Sequence, residues 1–194
     1  MRRIPLLVVV MLIVARSGFA QGARGPLFSA GVDTPAADVA AAITFNVFIN
    51  SNGVENVHVG WSFAAAKNFS EVFGITAEAG VAHQTVRSAR TRRVEDALVY
   101  GVGIGPRVST PFLHVGGGEP LDFRVFGQLL VGAAISDLSS GGVAIHPGAG
   151  VDIATRSGLV VRVLGSDVFV PRRPEVGGPR LLVGLVFGIG STNP

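Results

Sequence analysis

The segment LLVGLVFGIG, residues 181–190, alternates between large apolar side chains and smaller ones. Its bulky positions are Leu181, Val183, Leu185, Phe187 and Ile189. Glycine fills three of the five positions between and after them. Because successive side chains of a β-strand point to opposite faces, the segment predicts a strand with one bulky face and one narrow face. A small membrane barrel needs this arrangement, since its narrow interior takes small or polar residues while its outside meets lipid.

The same alternation recurs along the chain and predicts seven further strands. They fall within residues 39–49, 57–68, 73–83, 100–108, 123–135, 148–153 and 159–164. The first is the least regular, and in the fifth Phe126 and Leu130 place bulky residues on the narrow face. The predicted fold class is all-β, an eight-stranded antiparallel up-and-down transmembrane β-barrel.

Composition leads to the same fold. Hydrophobic residues make up 48% of the chain and charged residues 15%, against about 25% charged residues in an average soluble domain. After residue 20 no run of apolar residues is long enough for a transmembrane helix, which needs about 20. Only helices and closed barrels satisfy their backbone polar groups in lipid, so a barrel remains.

The N-terminus has the layout of a secretory signal peptide. Arg2 and Arg3 precede an apolar run at residues 4–14, and Gly18-Phe19-Ala20 supplies small residues before a cut. The run is too short for a membrane-spanning helix. We therefore predict a signal peptide at 1–20, an N-terminal lead-in at 21–38, the barrel at 39–190 and a C-terminal tail at 191–194.

Charge and cysteine content exclude several classes. The chain has 16 Lys+Arg and 13 Asp+Glu, and three of its arginines lie in the predicted signal peptide, so the remainder carries no net charge. Nucleic-acid binding needs a basic face, and it is not predicted. The absence of cysteine excludes a disulfide framework and a thiolate metal site. We expect no cofactor and no metal, and we expect a monomer.

Turn-forming residues predict where the strands are connected. With an even number of strands both chain ends lie on the periplasmic side. Four connections are then expected to face outward, at 50–56, 85–97, 136–142 and 171–179.

The ordered motifs of the chain resemble those of small OmpA-type outer-membrane barrels over about residues 39–190. They are Gly60-Trp61-Ser62-Phe63-Ala64, Asn68-Phe69, Phe73-Gly74-Ile75-Thr76-Ala77-Glu78, Gly105-Pro106-Arg107, Val131-Gly132-Ala133-Ala134, Gly148-Ala149-Gly150-Val151-Asp152, Val161-Arg162-Val163 with Asp167, and the closing segment from Arg180 to Gly190. The resemblance implies an outer-membrane location, contact with outer-membrane lipid and insertion by the barrel-assembly machinery. The chain departs from the pattern at Ser191-Thr192-Asn193-Pro194, where barrel insertion signals typically end on an aromatic residue.

Five charged residues fall on the predicted narrow faces. They are Glu78, Arg107, Arg124, Asp152 and Arg162. Charges in a narrow lumen are costly unless they are paired, and arginine binds carboxylates through two contacts. We therefore predict an ion-pair network that plugs the barrel, as the family resemblance also implies. The alternatives are that some of these charges face water at the rims, or that they form a gate that re-pairs to pass small solutes.

Two of the outward connections are basic. Arg87, Arg90, Arg92 and Arg93 lie in the connection at 85–97, and Arg172, Arg173 and Arg180 flank the connection at 171–179. Since arginine binds phosphate bidentately, all but Arg180 are candidates for contact with lipopolysaccharide. A solvated loop is the simpler interpretation.

The sequence predicts no enzyme. Gly101, Gly103 and Gly105 lack the spacing of a dinucleotide fingerprint, and the four histidines lack metal-ligand spacing. Some eight-stranded barrels modify lipid A with a neighbouring His and Ser, to which His83 with Thr85 and Ser88 is the nearest approach. A soluble periplasmic barrel that binds an apolar ligand is the third hypothesis, and it requires bulky residues inside.

Overall fold

The computed structural model describes residues 34–50, 53–87, 94–115, 121–137, 139–154, 159–171, 178–190 and 192. The predicted signal peptide and most of the predicted lead-in and tail lie outside these residues. No helix among the described residues is long and apolar enough to cross a membrane.

Nine strands make up the described fold. They are β1 (Ala37–Asn50), β2 (Gly53–Asn68), β3 (Phe73–Arg87), β4 (Val94–Ser109), β5 (Leu113–Val115), β6 (Leu121–Ser136), β7 (Ser139–Ala154), β8 (Val160–Val168) and β9 (Gly178–Ile189). Eight of them form the wall, while the short β5 pairs only with the start of β6.

The eight wall strands close into an antiparallel barrel. Each strand pairs with its neighbour in the chain, β4 pairs with β6, and the first strand pairs with the last along Ala37–Asn46 of β1. Closure pairs each of the eight described wall strands on both sides and leaves the wall no open edge, which a membrane requires because lipid offers backbone groups no partners. The predicted eight-stranded antiparallel barrel is confirmed.

The barrel has two distinct ends. At the inner end β1 begins and β9 finishes, and the connections 69–72, 110–120 and 155–159 lie there. At the outer end lie 51–52, 88–93, 137–138 and 169–177. Three of the four outer connections are shorter than predicted, because the strand ladders continue through the glycines, serines and charged residues that suggested loops. The fourth, at 169–177, is as long as the predicted 171–179 and begins two residues earlier.

The first strand starts earlier than the sequence indicated. Ala37 pairs with Lys67 and Ile189, and Asp38 pairs with Ala66 and Gly188. The predicted lead-in at 21–38 therefore extends too far, and Asp38 belongs to the barrel wall, where only 1% of its surface is exposed.

The bulky residues of the alternating pattern lie outside. Trp61, Phe63, Ile104 and Phe187 are each more than half exposed, and the Trp61 and Phe63 rings form an edge-type contact with their centroids 5.3 Å apart. Such an apolar exterior suits lipid and not water. It contradicts the soluble-barrel hypothesis, which requires these residues inside.

The side chains that face the lumen are not uniformly small. Phe126 and Leu130 are fully buried in the lumen, and Phe126 packs with Leu164 and Leu182. Room for the phenyl ring comes from Gly150, its partner on β7, where an added Cβ would lie 2.8 Å from Phe126 Cζ. The expectation of a lumen lined by small and polar residues is thus wrong at these positions, since large apolar groups fill the space between polar ones.

Candidate functional site

Three charged side chains form a row across neighbouring strands near the inner end. Arg124 on β6 stands opposite Asp152 on β7, which stands opposite Arg162 on β8. Arg124 donates to Asp152 Oδ2 from Nη2 at 2.5 Å and from Nε at 3.2 Å. Arg162 donates from Nε to Oδ1 at 2.7 Å and from Nη2 to Oδ2 at 2.9 Å. One carboxylate thus accepts four hydrogen bonds from two guanidinium groups.

A second carboxylate binds Arg107 in the same way. Arg107 donates from Nη1 to Asp38 Oδ1 at 3.2 Å and from Nη2 to Oδ2 at 2.5 Å. The side chain of Asn68 at the end of β2 joins them, since it accepts from Arg107 Nη2 at 2.7 Å and donates to Asp38 Oδ2 at 3.3 Å. The two-point geometry is the strong form of a charge-assisted hydrogen bond.

These two groups form one inner cluster of Asp38, Arg107, Arg124, Asp152 and Arg162. Asp38 connects them, because its carboxylate lies 3.5 Å from Arg162 Nη2 and 3.8 Å from Arg124 Nη2. All five side chains are at most 5% exposed. Since they come from five strands of a closed wall, the cluster bridges the lumen at the inner end.

Glu78 is not part of the inner cluster. Its carboxylate binds Arg180 Nη2 at 2.7 Å and lies 3.4 Å from Gln128 Nε2. Arg180 also donates from Nε to Ser166 Oγ at 2.7 Å. The sequence placed Arg180 at an outward connection, whereas the structure directs its side chain into the lumen, where it is 9% exposed. Glu78 and Arg180 are called the outer pair below.

The inner cluster carries three guanidinium groups and two carboxylates. Aromatic rings partly balance the extra positive charge. The Arg162 Cζ lies 4.7 Å from the centre of the Phe126 ring, and Arg124 Cζ lies 4.8 Å from that of Phe112. Such cation–π contacts contribute about 0.5–2 kcal/mol each, with the larger values at desolvated sites.

Phe112 also packs against the inner cluster. It precedes β5 in the connection between β4 and β6 and is 3% exposed. Thr110 fixes this connection, since its hydroxyl accepts from the backbone N–H of Val125 at 3.1 Å. The cluster is therefore covered from below by an apolar ring.

The alternation of side chains found four of the five cluster members but missed Asp38, Asn68 and Phe112. Asp38 and Asn68 occupy strand ends, where periodicity is weak, and Phe112 lies in the connection just before β5. Arg180 was predicted to lie beside an outward connection, whereas its side chain lies in the lumen. Its pairing opposite Ser166 and Asn46 in the outer part of the barrel would have indicated this position, but the pairing is known only once the fold is known.

The residues considered for the lipopolysaccharide and lipid A sites are described only in part. Arg90, Arg92, Arg93, Arg172 and Arg173 are outside the described residues, as is Ser88, and for Arg87 only the backbone is described. His83 is exposed on the outer part of β3.

Solved structures share the architecture. Neisserial surface protein A is 12% identical over 79% of this chain and 97% of its own, with a TM-score of 0.53. The chain has the fold of a small outer-membrane β-barrel. Ail, the attachment invasion locus protein of Yersinia pestis, is also 12% identical, over 79% of this chain and 99% of its own, with a TM-score of 0.46. Identities this low establish the fold alone.

No known protein family and no curated protein matches the sequence. The resemblance to OmpA-type barrels in particular stays a prediction, while the broader class of small outer-membrane barrels is supported by the shared fold.

Proposed function

We propose that the protein is a monomeric, non-enzymatic barrel of the outer membrane whose lumen is plugged by ion pairs and whose role is structural or at the envelope surface. The observation that carries the proposal is the inner cluster, in which five buried charges from five strands bridge the lumen. The apolar exterior fixes the barrel in lipid, and the polar groups inside hold opposite walls together.

A plug of this kind resists ion flow for a physical reason. An ion that passes the inner cluster must separate Asp38 or Asp152 from its arginines. Breaking a buried pair leaves an uncompensated charge and costs about 3–5 kcal/mol. Phe112 adds an apolar barrier beneath the cluster.

The test is single-channel recording on the refolded mature protein in planar lipid bilayers. The plugged barrel is expected to give no resolved current steps at moderate voltage. Regular current steps in the wild-type protein would instead establish a narrow pore. If such steps disappear in an Arg180→Lys variant, the outer pair would be the gate that re-pairs.

We also propose that the basic outer connections contact lipopolysaccharide phosphates. The strands β3 and β4, which lead to 88–93, and β8 and β9, which lead to 169–177, lie on opposite sides of the barrel ring. Arginines on both connections would then contact lipid at two separate points on the outer rim, where the phosphate groups of lipopolysaccharide lie. Arginine suits such groups because its planar guanidinium offers two parallel donors.

Variants separate this contact from general charge effects. Replacement of Arg90, Arg92 and Arg93 by Gln is expected to weaken lipopolysaccharide binding to the detergent-solubilised barrel about tenfold, as is the Arg172→Gln, Arg173→Gln variant. The control is Lys67→Gln, which removes an exposed cation at the inner end. Equal affinity of all variants and wild type in a binding titration would reject the contact.

A further inference from the structure

A cavity of about 40 Å³ lies in the outer half of the lumen, away from the inner cluster. Polar groups from three strands line it, namely Thr44 and Asn46 of β1, His146 of β7 and Arg180 of β9. The rest of the lining includes Gly101, Ala134 and Val168. Since one water-sized sphere needs about 10–15 Å³ of such volume, the cavity has room for about three waters or one small ion.

Two polar atoms on this lining have no partner within the described part of the chain. They are Thr44 Oγ1 and His146 Nε2. Both residues are 2% exposed, so bulk water does not satisfy these atoms. A buried donor or acceptor left without a partner costs about 1–3 kcal/mol, which makes a bound group at this place favourable.

The contact of His146 with Arg180 determines what the free ring atom offers. Arg180 Nη2 lies 3.4 Å from His146 Nδ1. Because a guanidinium group only donates, Nδ1 must accept, and in the neutral ring the proton then sits on Nε2. His146 therefore presents an N–H donor, and Thr44 presents a hydroxyl that donates as well.

The charges of the lumen favour an anion over a cation at these donors. The buried charged side chains within the described barrel, with Arg180 included, are four arginines and three carboxylates. The excess positive charge acts over a longer distance in a poorly solvated lumen than in water. Arg180 itself lines the cavity, and its carboxylate partner Glu78 does not.

We propose that this cavity is a binding site for one small monovalent anion of the size of chloride, held by His146 Nε2–H, the Thr44 hydroxyl and the guanidinium of Arg180. The anion offsets the positive charge of the lumen and satisfies both buried donors. The site depends on the lumen of the barrel and not on the proposed role at the envelope surface, so either can fail alone.

The test is a chloride titration of the folded, ¹⁵N-histidine-labelled mature barrel in detergent micelles, with gluconate as the replacement at constant ionic strength. The Nε2–H signal of His146 is expected to shift in a saturable way with chloride and with bromide, and not with the larger gluconate. A signal that does not move with chloride would show that the cavity holds water only and would overturn the proposal.

Two threonine variants test the geometry. Thr44→Val keeps the shape and removes the hydroxyl, so chloride affinity is expected to fall about tenfold. Thr76→Val is the matched control, because Thr76 is also buried in the lumen and its hydroxyl has no partner among the described residues, but it lies on β3 toward the inner end. Equal losses in both variants would overturn the assigned site, and the wild-type titration decides the matter if either variant fails to fold.

Discussion

At the scale of single residues, Asp152 is the carboxylate that Arg124 and Arg162 share. It is fully buried and accepts four hydrogen bonds from Arg124 and Arg162. An Asp152→Asn substitution keeps the shape but removes the carboxylate that both guanidinium groups bind at short range, and it leaves them the longer contacts with Asp38. We expect the free energy of unfolding to fall by about 3–5 kcal/mol. Urea unfolding in lipid vesicles measures it, and Trp61, the single tryptophan, reports on contact with lipid because it faces outward.

The matched control for that substitution is Asp122→Asn. Asp122 pairs with His114 at 2.8 Å near the inner end, but the two side chains are 18% and 30% exposed. Partly solvated pairs contribute only about 0–1 kcal/mol, so this variant should unfold nearly like wild type. Similar losses for Asp122→Asn and Asp152→Asn would mean that burial of the cluster adds no stability.

At the scale of the strand, the sequence was informative about faces and less so about ends. The period of two identified the lipid-facing side of most wall strands, because lipid demands large apolar groups on one face, but the alternation was irregular in β1. It was ambiguous in β6, where Phe126 and Leu130 are bulky residues on the lumen side. The packed lumen excludes water as lipid does. Burial of a large apolar residue is therefore favourable there wherever an opposing glycine leaves room for its side chain.

The ends of the strands were predicted less accurately than their faces, because pairing between strands overrides local propensity. Ser139 and the glycines that follow have weak strand propensity, and yet β7 begins at Ser139. Pairing with β6 overrides propensity there, since Ala134 pairs with Gly142 and Ser136 with Ser139. Tertiary pairing of this kind acts on β-strands more than intrinsic preference does.

At the scale of the whole molecule, the sequence predicted five of the charges that the described lumen contains, without Asp38 and Arg180, and it did not predict which charges meet. Asp38 binds Arg107, 69 positions away, and contacts Arg162, 124 positions away. Which charges become partners depends on how the barrel closes and on the position of each residue along the barrel axis. The alternation of side chains along one strand carries neither kind of information. The same limit explains why Glu78 was grouped with the inner cluster although it pairs with Arg180.

The orientation of the wall gives a final prediction for the full chain expressed in a Gram-negative host. The barrel is expected in the outer-membrane fraction, as a band whose mobility changes on boiling, because detergent alone does not open a closed strand ladder.

A Val102→Arg variant tests which side faces lipid, since Val102 is 53% exposed on β4. A charge on the lipid face near mid-membrane costs about 2–4 kcal/mol, so the heat-modifiable band should weaken. A barrel whose exposed face met water would accept that arginine without loss, and an undiminished band would therefore reverse the assignment of inside and outside.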